Sequence, residues 1–265
     1  MPLVFGPAAL LRHAVLALAF LASLAMPASA QQSGCILDNC ADRSPPVQTG
    51  GSAPQNAPSA DSYDSFRPQP RGASIPGDFD FYVLSLSWSA GFCATGGAGR
   101  NPAQCGGGQH LGFVVHGLWP QYQHGFPQDC GPAGRSPSRM ALDQTTGLYP
   151  DQGLARYEWR KHGVCSGKSP SDYFADVRRA RDSIAIPPQL RDAGSDQTWA
   201  PLDILRAFEA ANPRLRPGMS AVGCRSGVLQ EVRFCMSKDL RAFVPCPEVA
   251  RQTCHGRQIS VPAPL

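Results

Sequence analysis

The chain has 265 residues, enough for one large or two small domains, and a formal net charge of +4. Its ten cysteines all follow residue 30 and include no Cys-x-x-Cys pair, which disfavours a zinc protein. So small a positive charge is compatible both with a protein that binds a polyanion and with an ordinary soluble protein, so the charge does not decide between them.

Residues 1–30 are predicted to be a secretory signal peptide. Arg12 provides the charged start, Ala14 to Met26 form an apolar run, and Ala28-Ser29-Ala30 is a small-residue cleavage site. The run is too short for a bilayer anchor, which disfavours the alternative of a retained membrane helix. We therefore expect a periplasmic or secreted protein without a membrane segment, whose even set of cysteines forms disulfides.

Residues 31–77 are rich in Pro, Gly, Ser, Gln and Ala and contain few large apolar residues. Such a segment buries too little surface to offset its ordering entropy. We predict a flexible leader, in which Cys35 and Cys40 can close a small loop, followed by one catalytic domain over residues 78–265.

The first part of this domain is predicted to contain two strands separated by loops. Residues 79–88 alternate, with one face formed by Tyr82, Leu84, Leu86 and Trp88. A Gly-rich loop is expected over 91–108. Residues 111–116 are apolar up to the final histidine, which favours a central strand ending at His116. Residues 125–147 are predicted to be a loop.

Helices and a final strand follow. Residues 151–162 predict a helix that starts at Asp151 and that Gly163 ends in the left-handed conformation. Further helices are predicted over 172–184, with Ser171 as N-cap, and over 201–211. Period-two alternation returns over 228–236. This order predicts an α+β fold.

Two segments carry candidate chemistry, Phe113 to Pro120 and Tyr157 to Cys165. In the first, His116 would end a strand where a ligand can reach it. In the second, Glu158, Lys161 and His162 stand at i, i+3 and i+4, so a helix would place them on one face.

This residue set suits cleavage of RNA by its own 2′-hydroxyl. One histidine can take the proton of that hydroxyl and the other can protonate the departing 5′-oxygen, since both titrate near neutral pH. A fixed lysine would stabilise the charge that develops on the phosphoryl oxygens.

Each residue also has an ordinary structural interpretation. Glu158 with Lys161 could be a surface ion pair worth about 0.2–0.5 kcal/mol. His162 could be a residue favoured by the helix dipole, and His116 a buried histidine with satisfied hydrogen bonds. The tryptophans of the two segments, Trp119 and Trp159, are more often core residues than stacking platforms for bases.

Taken together, the two segments resemble the active-site signatures of the ribonuclease T2 family. His116-Gly117-Leu118-Trp119-Pro120 corresponds to the first signature. The second is matched by Glu158, Trp159, Lys161, His162, Gly163 and Cys165. The resemblance covers residues 78–255 and implies a central antiparallel sheet flanked by helices and stapled by disulfides.

The resemblance also implies roles. His116 would be the general acid and His162 the general base, while Glu158 and Lys161 would hold the phosphate and Trp119 would help to form the base pocket. The products would be a 2′,3′-cyclic phosphate and then a 3′-phosphate, formed from single-stranded RNA by a monomer of low base specificity that needs no metal or cofactor.

Two substrate-binding positions depart from the family pattern. Tyr157 stands where a phosphate-binding histidine is usual, and it brings a hydrogen bond but no charge. We expect weaker substrate binding or an altered pH dependence. Gln121 stands where many members carry a base-recognising acid, so purine preference cannot be carried over.

Cysteine pairing by resemblance would join Cys130 to Cys165, Cys224 to Cys254 and Cys235 to Cys246. Cys93 with Cys105 is suggested by proximity alone. Three other functions stay open at this point. They are a non-catalytic RNA-binding or cytotoxic protein, a structural secreted module with distant histidines, and a metal-dependent nuclease, which would require clustered carboxylates.

Overall fold

The computed structural model describes residues 74–106, 111–128, 130 and 136–265. The predicted signal peptide, most of the leader, and Cys35 and Cys40 lie outside these residues. Ser74 to Gly77, which we assigned to the leader, hydrogen-bond to the folded part instead. The Ser74 amide donates to the carbonyl of Gln128 and the Gly77 amide to that of Cys165. The fold therefore includes residues before the predicted boundary at 78.

A six-stranded sheet forms the centre of the fold, with the strand order β2-β1-β5-β6-β3 and β4 paired to β5. The strand pairs are antiparallel except for one parallel contact between β5 and β6. The strands are β1 (Phe81–Trp88), β2 (Phe113–Gln121), β3 (Gln197–Trp199), β4 (Ser220–Arg225), β5 (Val228–Ser237) and β6 (Ile259–Val261).

The helices flank this sheet and confirm the α+β class. They are α1 (Ser89–Ala94), α2 (Pro102–Cys105), α3 (Arg139–Asp143), α4 (Gln152–Lys161), α5 (Pro170–Asp182), α6 (Pro188–Arg191), α7 (Pro201–Ala211) and α8 (Pro247–Ala250). Short helices thus occur within both segments that we predicted to be loops. Period analysis misses them because helices of four to six residues show little more than one turn.

The main core lies on one face of the sheet and includes the predicted row from Tyr82 to Trp88. A smaller cluster on the opposite face contains Phe81, Val83, Trp119, Ala221, Cys235, Cys246 and Val249. All eight side chains of β1 are consequently buried. Burial on both faces explains why the second face of this strand also carries the apolar residues Phe81 and Val83.

Strand β2 differs from the prediction in place and length. It lies at the end of the sheet order rather than in its centre, and it extends to Gln121. Its uniformly apolar start reflects burial on both faces. The segment around Leu148 lies along the open edge of the strand, where the carbonyl of Leu148 accepts a hydrogen bond from the Val115 amide. An edge strand also tolerates Pro120, which has no amide hydrogen to donate.

Helix α5 begins earlier than predicted. Ser169, not Ser171, is its N-cap, because the Ser169 hydroxyl accepts a hydrogen bond from the Asp172 amide. Pro170 occupies the first helical position, which suits a residue without an amide hydrogen. The sequence offers two serines around this proline, and only the one before it has the non-helical backbone of a cap.

This difference gives a testable pair of substitutions. We expect Ser169→Ala to lower the free energy of unfolding by about 0.5–2 kcal/mol, because an amide of the first turn loses its acceptor. Ser171→Ala, at the second helical position, should change it by less than about 0.5 kcal/mol. Urea unfolding of both variants measures the difference. Equal losses would contradict the assignment of the cap.

Candidate active site

A β-bulge in β2 determines the face of the sheet on which the side chain of His116 lies. Ser85 of β1 pairs with Gly117 and Leu86 pairs with Val115, so His116 is the extra residue between them. The two bulged residues of such a feature share one face, which changes the alternation along the strand. His116 therefore lies inside β2, not at its end as predicted, and on the same face of the sheet as Trp119.

His116 is 6% exposed and is bordered by two carboxylates. Its Nδ1 lies 3.2 Å from Oε2 of Glu231 and its Nε2 lies 3.7 Å from Oε1 of Glu158. Burial lowers the pKa of His116, but the hydrogen bond to Glu231 and the charges of both carboxylates outweigh it. The pKa of His116 is raised above its ordinary value as a result.

Helix α4 presents Glu158 to this histidine. Asp151 caps the helix as predicted, since its side chain accepts a hydrogen bond from the Leu154 amide. Glu158 is fully buried, and its Oε2 accepts a hydrogen bond of 2.8 Å from the indole nitrogen of Trp119. The helix thereby holds a carboxylate against the bulge of β2.

His162 lies just beyond α4. It is the C-cap residue, with φ −127°, and not a helical residue that shares a face with Glu158 and Lys161. Gly163 does not adopt the left-handed conformation that we predicted. A 3-10 turn over Gly163–Ser166 follows, and Gly167 has the positive φ. A Cβ at Gly163 would lie 2.5 Å from the Trp159 ring, so close packing requires this glycine.

The indole of Trp119 contacts both imidazoles. Its ring centroid lies 5.1 Å from that of His116 and 5.4 Å from that of His162. The two histidines therefore lie close together, and the structural module with distant histidines is excluded. Burial and the positive charges of His116 and Lys161 lower the pKa of His162 to about 3.

The remaining predicted site residues differ in their exposure to solvent. Lys161 is exposed at the end of α4, close enough for its charge to act on His162. Tyr157 is half-buried on the same helix. Trp119 is 5% exposed, and Gln121 is 8% exposed with its amide donating to the carbonyl of Pro120. Both side chains are therefore largely enclosed by the protein.

Sequence reasoning missed Glu231 and Arg233 on β5. Our row for this strand followed the alternate residues Val228 to Met236. Its later members, from Val232 on, face the main core, whereas nearer the start of the strand Leu229 does so instead. The opposite row of β5 pairs with Ser85 and Ser87 of β1 on the face that carries His116. Two opposite charges at i and i+2 in a strand that is otherwise uncharged were the available signal.

The disulfides stabilise the frame around this site. The structure joins Cys93 to Cys105, Cys130 to Cys165, Cys224 to Cys254 and Cys235 to Cys246. These are the pairs that the resemblance and proximity suggested. The second of them anchors position 130 to the turn that follows His162.

In the part of the chain that the structure describes, no helix is long and apolar enough to cross a membrane. No group of three or more His, Cys, Asp or Glu residues in these segments is arranged to hold a metal ion.

Comparison with known proteins identifies the family. The model of the ribonuclease T2 family matches residues 79–246. The chain belongs to the ribonuclease T2 family. A ribonuclease of Aeromonas hydrophila is 37% identical over 178 residues, which cover 65% of this chain and 78% of the relative. Ribonuclease I of Escherichia coli is 32% identical over 151 residues, 41% of this chain and 55% of that protein.

Solved structures share the T2 fold. An RNase-related protein from Calystegia sepium is 22% identical with a TM-score of 0.55, over 69% of this chain and 97% of that one. Ribonuclease MC1 from bitter gourd seeds is 24% identical with a TM-score of 0.54, over 68% and 99% of the two chains. Family membership and the ribonuclease relatives show that the chain is a T2-type endoribonuclease.

Proposed function

We propose that this ribonuclease cleaves single-stranded RNA with His116 as general acid and His162 as general base. The proposal rests above all on one observation: the two imidazoles share contact with Trp119, and their surroundings shift the two pKa values in opposite directions. Titratable neighbours with separated pKa values are the usual mark of an acid–base pair. A protonated His116 and a neutral His162 are the forms that the reaction requires.

In the first step, Nε2 or Nδ1 of His162 takes the proton of the 2′-hydroxyl, and the 2′-oxygen attacks phosphorus. His116 gives its Nε2 proton to the 5′-oxygen as the P–O5′ bond breaks, which leaves a 2′,3′-cyclic phosphate. In the second step water replaces the 5′-hydroxyl and the histidines exchange roles, which yields a 3′-phosphate. An anionic phosphodiester would also offset part of the positive charge that lowers the pKa of His162.

Other groups would bind and stabilise the phosphate. Lys161 is exposed beside His162 and can approach a phosphoryl oxygen, while Glu158 keeps His116 charged. Tyr157 can donate one hydrogen bond. Because Trp119 and Gln121 are buried and bonded within the protein, we propose weak rather than strict base selection.

Export completes the proposal. The predicted signal peptide and four disulfides suit a periplasmic or secreted monomer, since such bonds persist in oxidising compartments. The structural relative RNase NT has been crystallised with 5′-AMP, which fits a nucleotide-binding site on this fold.

The chemistry can be tested with one oligoribonucleotide in excess chelator. We expect undiminished cleavage, and mass spectrometry should detect a 2′,3′-cyclic phosphate that converts slowly to a 3′-phosphate. The matched control is the same oligonucleotide with a 2′-deoxy residue at the cleaved position, which should resist cleavage because it lacks the nucleophile. Loss of activity with chelator, or cleavage of the deoxy control, would contradict the mechanism.

A further inference from the structure

A buried carboxylate that the T2 signatures do not include lies directly behind His116. Glu231 is 3% exposed, and its Oε2 is 3.2 Å from Nδ1 of His116. Gly223 of β4 stands opposite Glu231, where a Cβ would come within 2.8 Å of the Glu231 side chain. The neighbouring strand is thus shaped to leave room for this carboxylate.

Three donors hold the Glu231 carboxylate in place. Ser85 donates to Oε2 at 2.7 Å, and the guanidinium of Arg233 donates to Oε1 at 2.7 and 2.6 Å. Burial raises the pKa of Glu231, but the charge of Arg233 and the bonds from His116 and Ser85 outweigh it, so its pKa lies well below the ordinary value. Glu231 is therefore ionised, and Nδ1 of His116 must carry the proton between them.

Arg233 is fixed from its other side. One of its amino groups donates to Oε1 of Gln252 at 2.6 Å, and its guanidinium lies 5.5 Å from the centroid of the Trp119 ring. Because Arg233 holds the Glu231 carboxylate rigidly, little free energy is needed to reorganise it when the charge of His116 changes.

We propose that Glu231, held by Arg233, is a positioning residue that keeps His116 protonated on Nδ1 and aims its Nε2 at the reacting phosphate. The inference rests on the proposed role of His116 as general acid. During the transfer the Nε2–H bond breaks and an O–H bond forms on the 5′-oxygen. Glu231 stays ionised throughout and takes no proton.

Charged groups from every neighbouring element contribute to this arrangement. Glu231 and Arg233 approach His116 from β5, Glu158 approaches from α4, and His162 lies beyond the end of that helix. The two β5 residues act in opposite directions, because a carboxylate favours the imidazolium and a guanidinium opposes it. Removing each charge singly should therefore shift the titration of His116 in opposite directions.

The test measures kcat/KM against pH for Glu231→Gln and Arg233→Gln. Activity falls as the pH rises through the pKa of the general acid. We expect this basic limb to move down by about one pH unit in Glu231→Gln and upward in Arg233→Gln. On the plateau below the limb, where His116 is protonated, kcat of Glu231→Gln should fall by about ten- to a hundredfold with little change in KM.

Asp176→Asn is the matched control, since Asp176 is an equally buried carboxylate paired with Lys168 and Arg179. The loss of this carboxylate should lower the free energy of unfolding and leave the basic limb of the pH profile unchanged. NMR titration of the His116 ring measures the same shifts without activity, so a failure of the proposed function would not hide the result. An unchanged His116 titration in folded Glu231→Gln, or shifts of the same sign in both β5 variants, would overturn the inference.

Discussion

Replacing either His116 or His162 by alanine is expected to lower kcat for RNA by about 10²- to 10⁴-fold, the usual contribution of a positioned proton donor or acceptor. The double variant should be little worse than either single one, because the two groups act in one transition state. His124→Ala is the control. Its ring is 88% exposed and is paired with Glu248, and its loss should leave kcat unchanged.

The choice of leaving group separates the two roles. A uridine 3′-phosphodiester of 4-nitrophenol releases a stable phenolate, which needs no protonation. The defect of His116→Ala should therefore shrink strongly with this substrate, whereas that of His162→Ala should persist, since the 2′-hydroxyl still has to lose its proton. The reverse pattern would exchange the assignments of acid and base, and equal defects with both substrates would contradict a division of roles.

The sequence was sufficient to predict that the two histidines lie close together, because each lies in a motif whose residue types and order are unusual. It also predicted α4 and its cap, since Asp151 precedes a regular helical pattern. The sequence did not reveal which way the side chains of β2 point. The bulge at His116 has only a weak local signature in Gly117, and without the bulge the alternation of β2 places Trp119 on the wrong face.

The contacts between residues far apart in the chain could not be predicted from the sequence either. Glu231 and Ser85 are 146 positions apart and meet only because β5 pairs with β1 in a particular register. A shift of one residue would turn Glu231 toward the apolar core, where an ionised carboxylate is costly. The charged row of β5 is thus explained by the site that it faces, which period analysis of a single strand cannot identify.

The second large effect is expected at Gly117, the other residue of the bulge. A Cβ at this position would lie 2.1 Å from Oε2 of Glu158 and 2.2 Å from the indole nitrogen of Trp119. Those are the two atoms of the hydrogen bond that ties α4 to β2. No side chain fits there unless the bond opens, and opening it displaces both the carboxylate and the neighbouring His116.

Gly117→Ala should therefore reduce stability and activity together. We expect the free energy of unfolding to fall by about 1–3 kcal/mol, as for other overpacked sites, and kcat to fall by at least about tenfold. Urea unfolding and cleavage assays measure the two effects. Gly194→Ala is the matched control, because a Cβ at Gly194 meets no atom within 4 Å. Wild-type activity in folded Gly117→Ala would mean that catalysis does not depend on the Glu158–Trp119 bond.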